Sequence, residues 1–150
     1  MVYFEQLITS FIGSAAFVVL FNVPKEALFK CGLSGMLGWI VYFVLNTTGF
    51  GPDIGTLAAA FFIALISRVF AMMYKMPIII FSVAGIIPLV PGGLAYDTMR
   101  NIVENDYMAA VALGVKASMI SGAIAVGLIF SEVLNHVVRW PSIPGIKSRR

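Results

Sequence analysis

Long apolar runs constrain this chain more than any other feature of its sequence. A membrane-crossing helix needs about 20 consecutive, mostly apolar residues. Five segments of that kind follow one another: Tyr3–Phe21, Cys31–Thr48, Ile54–Met73, Met76–Tyr96 and Met108–Val138. Because a helix satisfies its backbone hydrogen bonds within its own segment, it is suited to lipid. The runs therefore predict an all-α, polytopic membrane protein of about five transmembrane helices.

Composition supports the same class. Of the 150 residues, 60% are hydrophobic and 11% are charged, whereas a soluble domain is about half apolar and a quarter charged. The net charge of +3 is small and the basic residues are scattered, so we expect no nucleic-acid partner. We expect residues 1–150 to form a single transmembrane domain in the cell (inner) membrane.

The sequence offers little for catalysis or metal binding. One cysteine, Cys31, and one histidine, His136, do not provide the ligands of a structural zinc site. There is no GxSxG or HExxH motif and no carboxylate pair beside a nucleophile. We therefore expect no enzyme activity, no metal and no cofactor.

Basic residues predict the orientation of the spans. In a five-span arrangement, eight of the ten Lys and Arg residues fall on one side: Lys25, Lys30, Arg68, Lys75, Arg139, Lys147, Arg149 and Arg150. The other side has Arg100, and Lys116 lies within or beside the fifth span. Because Lys and Arg are enriched in cytoplasmic loops, we predict that the N-terminus is outside and the C-terminus is cytoplasmic.

The fourth span is interrupted near its middle. Pro88 and Pro91 each lack the N–H that a continuous helix requires, and Gly92 and Gly93 follow at once. Pro88 lies eleven residues after Pro77, or about 16 Å along a helix, which is roughly half of the hydrocarbon thickness.

Broken helices at the membrane midplane are where secondary transporters hold substrates. We interpret the break as a binding site. Amides near Gly92 and Gly93 would hold a carboxylate, and the carbonyls of Ala84 and Ile87, freed by the prolines, would hold a cation. The alternative is a proline kink used only for packing.

A polar helical face follows the break. Asp97, Arg100, Asn101 and Glu104 occur at the spacing of one face of a helix. They line the outward half of a transport path, or they are solvated charges on an outer amphipathic helix. Lys116 needs a partner such as Asp97 or Glu104 if it is inside the membrane, or it extends to the interface.

Two other patterns have simpler interpretations. Small residues recur at helical spacing in the second and fifth spans, and we interpret them as packing positions. They are Gly32, Gly35 and Gly38, and Gly114, Ser118 and Gly122. Glu132 and His136, close to Arg139, indicate either an interfacial charge cluster or a proton relay.

The stretch GIIPLVPGGLAYDTMRNIVENDY, with its PLVPGG core, resembles the corresponding segment of the threonine/serine exporter family, specifically its small second-half subunit. Length, number of spans and the position of the motif also agree, so the resemblance covers essentially the whole chain. It implies a half-transporter that works with a larger subunit of the same family. Charge-derived topology fits, since a second half that follows five spans from a cytoplasmic start begins outside.

The resemblance implies export of threonine and serine, although some split pairs are associated with succinate or related dicarboxylates. The substrate-binding residues would be Pro88, Pro91, Gly92, Gly93, Asp97, Arg100 and Asn101, with Glu104 and Lys116 as charge partners. We expect the chain to associate with the larger subunit, with copies of itself, or with both. The competing interpretation is a channel-like or accessory subunit that supports a partner carrying the site.

Overall fold

The structure is a computed structural model that describes residues 2–137, with side chains from Phe4 onward. Its helices are α1 (Val2–Leu20), α2 (Lys25–Thr47), α3 (Gly51–Tyr74), α4 (Ile78–Ile86), α5 (Gly92–Val103) and α6 (Tyr107–Val137). A single 3₁₀ turn, Ile87–Leu89, follows α4. Within the described residues every regular element is helical, which confirms the all-α prediction.

The number of spans agrees approximately with the prediction. In the described part of the chain, α2, α3 and α6 are each long and apolar enough to cross a membrane. Helix α4 with the 3₁₀ turn and α5 form a pair bent by 52° that is a fourth candidate, as one broken span or as a re-entrant loop. The apolar segment Phe4–Leu20 is shorter, so the expected first span falls below the length of the others. The fourth span also extends further than predicted, because α5 continues beyond Tyr96 to Val103.

The helices pack as a bundle around α2 and α3. Helix α2 contacts α1, α3 and α4, while α3 also contacts α4 and α6. Helix α5 packs mainly on α6 and has no buried residue. Much of α6 therefore faces outward, and it carries many exposed apolar side chains such as Met108, Val115 and Phe130.

The glycine row of α2 confirms its interpretation as a packing feature. A Cβ at Gly32 would lie 2.6 Å from the ring of Phe11, and one at Gly35 would overlap Ser14. A Cβ at Gly38 would overlap Ile63. Glycine is needed at these positions because neighbouring helices approach the α2 backbone closely.

The corresponding row on α6 packs only in part. A Cβ at Gly114 would lie 3.4 Å from Thr98, but one at Gly122 would meet nothing within 4 Å. The close contact of α6 is instead at Gly127, where a Cβ would lie 2.6 Å from the Leu57 carbonyl oxygen of α3. Spacing alone did not distinguish the packed glycine from the exposed one.

Buried apolar side chains form two clusters, one on each side of the bundle's middle. The first joins α1, α2, α3 and α4 and consists of Val18, Ala27, Cys31, Ala71, Phe81 and Ala84. The second joins α3, the 3₁₀ turn and α6 and consists of Ala59, Ala60, Ile63, Leu89, Ile120 and Ile124. Leu89 thus anchors the interruption of the fourth span in the core.

Candidate functional site: the interrupted fourth span

The break occupies the residues at which the sequence predicted it. Helix α4 ends at Ile86, and the 3₁₀ turn contains Pro88. Val90 then has extended backbone with φ −63° and ψ 128°, and Pro91 precedes the first residue of α5. Because neither proline can donate an N–H, a continuous ladder of helical hydrogen bonds cannot form across this segment.

The backbone of the break satisfies part of its own hydrogen-bonding capacity. The N–H of Val90 donates to the Ile87 carbonyl at 3.3 Å, so the expected free carbonyl at Ile87 already has a donor. The Ala84 carbonyl faces α2, since a Cβ at Gly35 would lie 3.3 Å from its oxygen. Neither carbonyl is therefore as open to a cation as the prolines alone suggested.

Helix α5 begins at Gly92, within the range that the sequence predicted. The Gly92 N–H donates to the Val90 carbonyl at 2.8 Å, and the Ala95 N–H donates to the Pro91 carbonyl at 3.0 Å. The amides of Gly93 and Leu94 have no acceptor among residues 2–137. Such free N–H groups at a helix N-terminus favour an anion. The carboxylate-binding hypothesis therefore applies to Gly93 and Leu94 rather than to Gly92.

The space around the glycines at the start of α5 is open. A Cβ at Gly92 or Gly93 would meet nothing within 4 Å. These glycines are exposed, while Pro88 and Pro91 are half-buried. The two glycines of the break thus lie at the surface of this chain.

The polar residues of α5 divide into two pairs. Arg100 Nε donates to Glu104 Oε1 at 2.8 Å in an exposed ion pair. Asn101 Nδ2 donates to the Asp97 carbonyl at 2.7 Å. Asp97 and Asn101 are half-buried, whereas Arg100 and Glu104 are exposed. Of the three charged side chains, the Asp97 carboxylate is therefore the one that has no hydrogen bond or ion pair within the described residues.

Lys116 does not join this group. It is exposed on α6, and no ion pair involves it in the part of the chain that the structure describes. Glu104, one of its two expected partners, pairs with Arg100 instead. Extension of Lys116 toward the interface is the expectation that agrees with this placement.

A groove with a volume of about 760 Å³ lies along the contact between α5 and α6. Its lining is almost entirely apolar and includes Ile102, Ala110, Val111 and Val115, with Thr98 and Ser118 as polar members. The hydroxyls of Thr98 and Ser118 donate to the carbonyls of their own helices, at Leu94 and Gly114. This groove suits an apolar neighbour better than a charged small molecule.

Sequence reasoning missed a set of buried small polar side chains. Ser14, Ser34, Ser67, Ser131 and Asn135 all lie in the bundle interior. Ser34 Oγ donates to the Phe81 carbonyl at 3.2 Å, but the hydroxyls of Ser14, Ser67 and Ser131 have no partner among the described residues. Polar residues within apolar spans are a functional signal in membrane proteins, and that signal was available in the sequence.

Of the expected cytoplasmic charge cluster, the structure describes Glu132 and His136. Both are exposed near the end of α6. Arg139 and the other basic residues of the tail, Lys147, Arg149 and Arg150, lie outside the described residues. Asn135, between Glu132 and His136 in sequence, is buried.

Comparison with known proteins agrees with the interrupted apolar bundle. No solved structure matches the chain. A model of the family described as "Threonine/Serine exporter, ThrE" matches residues 6–134, which include every helix apart from a few terminal residues. The match spans the break and both small-residue rows. The chain therefore belongs to the threonine/serine exporter (ThrE) family.

Proposed function

We propose that this chain is a subunit of a secondary transporter that exports small amino acids, threonine and serine, across the inner membrane. The observation that carries the proposal is the interrupted fourth span in a member of an exporter family. The break supplies unpaired amides at Gly93 and Leu94 within an otherwise apolar protein. Those groups are of the kind that hold a substrate carboxylate in discontinuous helices.

The half-buried Asp97 is the counterpart that the proposal assigns to the substrate ammonium or to a proton. It lies three to four residues after the open amides, about one helical turn along α5. An amino acid carries both a carboxylate and an ammonium, so it can use both features. Arg100 and Asn101 would line the outward half of the path, with Glu104 holding Arg100 in place.

The proposed transport path also requires association with another subunit. The glycines of the break are exposed, and α5 has no buried residue. A larger subunit of the same family, copies of this chain, or both would enclose the path. In this arrangement the N-terminus is outside and the C-terminus is cytoplasmic, as the distribution of Lys and Arg favours.

Efflux from proteoliposomes tests the function directly. Vesicles would contain this chain alone, the larger subunit alone, or both, and would be loaded with labelled threonine, serine or succinate. We expect threonine and serine to leave only the vesicles that contain both proteins or an assembled oligomer. Efflux of succinate alone would identify a dicarboxylate exporter, and full activity of the larger subunit alone would identify this chain as an accessory subunit.

A further inference from the structure

Another cavity, with four polar residues in its lining, lies between α3, α4 and α6, away from the break. Its volume is about 310 Å³, and its polar lining consists of Ser82, Ser131, Glu132 and Asn135. Helix α3 contributes Ala64 to the lining, and α4 contributes Ile78 as well as Ser82. Ile78 is the first residue of α4, so the cavity is at the end of the bundle where α4 begins, ten residues before Pro88.

One polar group of this cavity, the Ser131 hydroxyl, is buried without a partner. Ser131 is 1% exposed, and its hydroxyl makes no hydrogen bond within residues 2–137. Asn135, which also lines the cavity, is 6% exposed. A buried polar group without a partner costs about 1–3 kcal/mol, so a ligand that bonded to the Ser131 hydroxyl would stabilise the protein.

Other hydroxyls on α6 behave differently. Ser118 and Ser121 donate to the carbonyls four residues earlier, at Gly114 and Ala117, both at 2.9 Å. Ser131 does not donate to Gly127 in this way. Its hydroxyl therefore remains available to the cavity that it lines.

The charge of the lining indicates the kind of ligand. Glu132 is the one charged side chain among the residues that line this cavity. Arg68 occurs one turn beyond Ala64 on α3, and His136 one turn beyond Glu132 on α6, but neither lines it. A carboxylate attracts an ammonium group and repels a dicarboxylate.

We propose that this cavity is the cytoplasmic loading site of the exporter and that it takes a small amino acid with a free ammonium group. Glu132 binds the ammonium, and Ser131 with Asn135 bonds to the carboxylate or the side-chain hydroxyl. This inference rests on the proposed function and deepens it, because it selects threonine and serine over succinate. The cavity is at the end of the bundle that the basic residues assign to the cytoplasm, where an exporter collects its substrate.

Equilibrium binding tests the site without requiring transport. Labelled threonine and labelled succinate would be added to the purified complex of full-length chains in detergent. We expect Glu132→Gln to weaken threonine binding about tenfold or more, because a hydrogen bond to a charged group is lost. Ser131→Ala should weaken it less. Matched controls are Glu26→Gln, an exposed carboxylate at the same end of the bundle, and Ser121→Ala, an exposed serine of α6.

Alkylation provides a second readout that identifies the position. Ser131→Cys and, as control, Ser121→Cys would be made in a Cys31→Ala background and treated with a thiol reagent. We expect threonine, but not succinate, to slow alkylation at position 131 and to leave position 121 unchanged. Gel filtration of each variant shows whether it remains folded and assembled.

The outcomes separate this inference from the proposed function. If threonine is exported but neither Glu132→Gln nor threonine protection at position 131 has an effect, the loading site is wrong and the function stands. If succinate binds and Glu132→Gln strengthens it, the substrate class is wrong. If the assembled wild-type complex exports and binds no amino acid, the proposed function and this inference both fail.

Discussion

Individual glycines and carboxylates on this chain have different roles that depend on what lies next to them. Gly122 and Gly127 are both on α6, yet one is open and the other lies against the backbone of α3. Asp97 is on α5 and Glu104 directly follows that helix, yet one is half-buried and the other is in an exposed ion pair. These contrasts supply matched pairs for experiments.

Gly127→Val should destabilise the protein, because a Cβ at this position would lie 2.6 Å from the Leu57 oxygen and 3.1 Å from the Phe61 nitrogen. Overpacking of this kind costs about 1–3 kcal/mol. Gly122→Val is the control, since the helix propensities of valine and glycine differ by only about 0.3 kcal/mol at either site. Thermal unfolding followed by gel filtration would measure both. Equal stability of the two variants would contradict the close contact of α3 and α6.

Asp97→Asn should reduce the efflux of threonine about tenfold, as expected when a charged hydrogen bond of about 1.5–3 kcal/mol is lost. Folding and assembly should change little because the side chain makes no hydrogen bond within the described residues. Asp106→Asn is the control: Asp106 accepts the N–H of Ala109 at 3.1 Å, and asparagine caps a helix equally well. Unchanged efflux for Asp97→Asn would remove Asp97 from the path.

Arg100→Ala should affect the efflux of anionic substrates more than that of zwitterionic ones.

At the level of elements, the structure is organised by the interruption between α4 and α5. The two helices meet at 52°, and the segment between them is fixed at one point by the buried Leu89. Helix α4 packs against α1, α2 and α3, while α5 packs mainly on α6. The break therefore separates a helix with three buried residues from one with no buried residue.

Replacement of both prolines, Pro88→Ala with Pro91→Ala, should favour a continuous fourth helix. Proline costs about 3 kcal/mol more than alanine in a helix interior, so folding should be preserved or improved. Efflux should nevertheless collapse, because the amides of Gly93 and Leu94 would acquire helical acceptors. Pro52→Ala provides the control, since Pro52 lies in the first turn of α3, where proline disrupts no helical hydrogen bond.

Stability and efflux rate of the double proline variant must be compared on the same preparation. A variant that is folded, assembled and fully active would show that the break is only a packing kink. A variant that is inactive because it is unfolded would appear as aggregate in gel filtration, and single replacements of each proline would then separate the two effects.

At the scale of the whole molecule, the chain presents more apolar surface than a single bundle can bury. Exposed apolar residues cover much of α6 and the apolar face of α5. Lipid covers such a surface readily, but the glycines at the start of α5 and the open polar groups of the break are not suited to hydrocarbon. A protein neighbour at this face would resolve that conflict.

Orientation is tested by reporters fused to each terminus. We expect a fluorescent protein at the C-terminus to be bright, because it folds in the cytoplasm, and a phosphatase at the N-terminus to be active, because it folds outside. The physical reason is the excess of Lys and Arg on one side of the spans. Activity of the same reporter at both ends would require an even number of crossings and would contradict five.

Assembly is tested by the mass of the purified protein in detergent, corrected for bound detergent. We expect a complex with the larger subunit, with copies of this chain, or with both. Introduced cysteines at Gly92 and Gly122, in a Cys31→Ala background, would locate the contact: the first should crosslink if the neighbour covers the break. A lone chain that transports unaided would refute the half-transporter proposal.

Much of this protein was determined by local sequence. Apolar runs predicted the membrane class and the approximate number of helices, since partition into lipid depends on composition over about 20 residues. Pro88 and Pro91 predicted the break, because a proline removes its own hydrogen bond whatever surrounds it. The sequence also predicted that the next helix starts between Gly92 and Leu94, and α5 starts at Gly92.

Tertiary structure decided the features that depend on residues distant in sequence. Spacing marked Gly122 as a packing position, but the approach of α3 placed the close contact at Gly127. Sequence assigned the open amides to Gly92 and Gly93, whereas the turn at Val90 uses the first of them. The burial of Ser131 and Asn135 follows only from the packing of α6 in the bundle, where it contacts α3. Which polar groups are left without a partner is settled by neighbouring helices, and no local pattern contains that information.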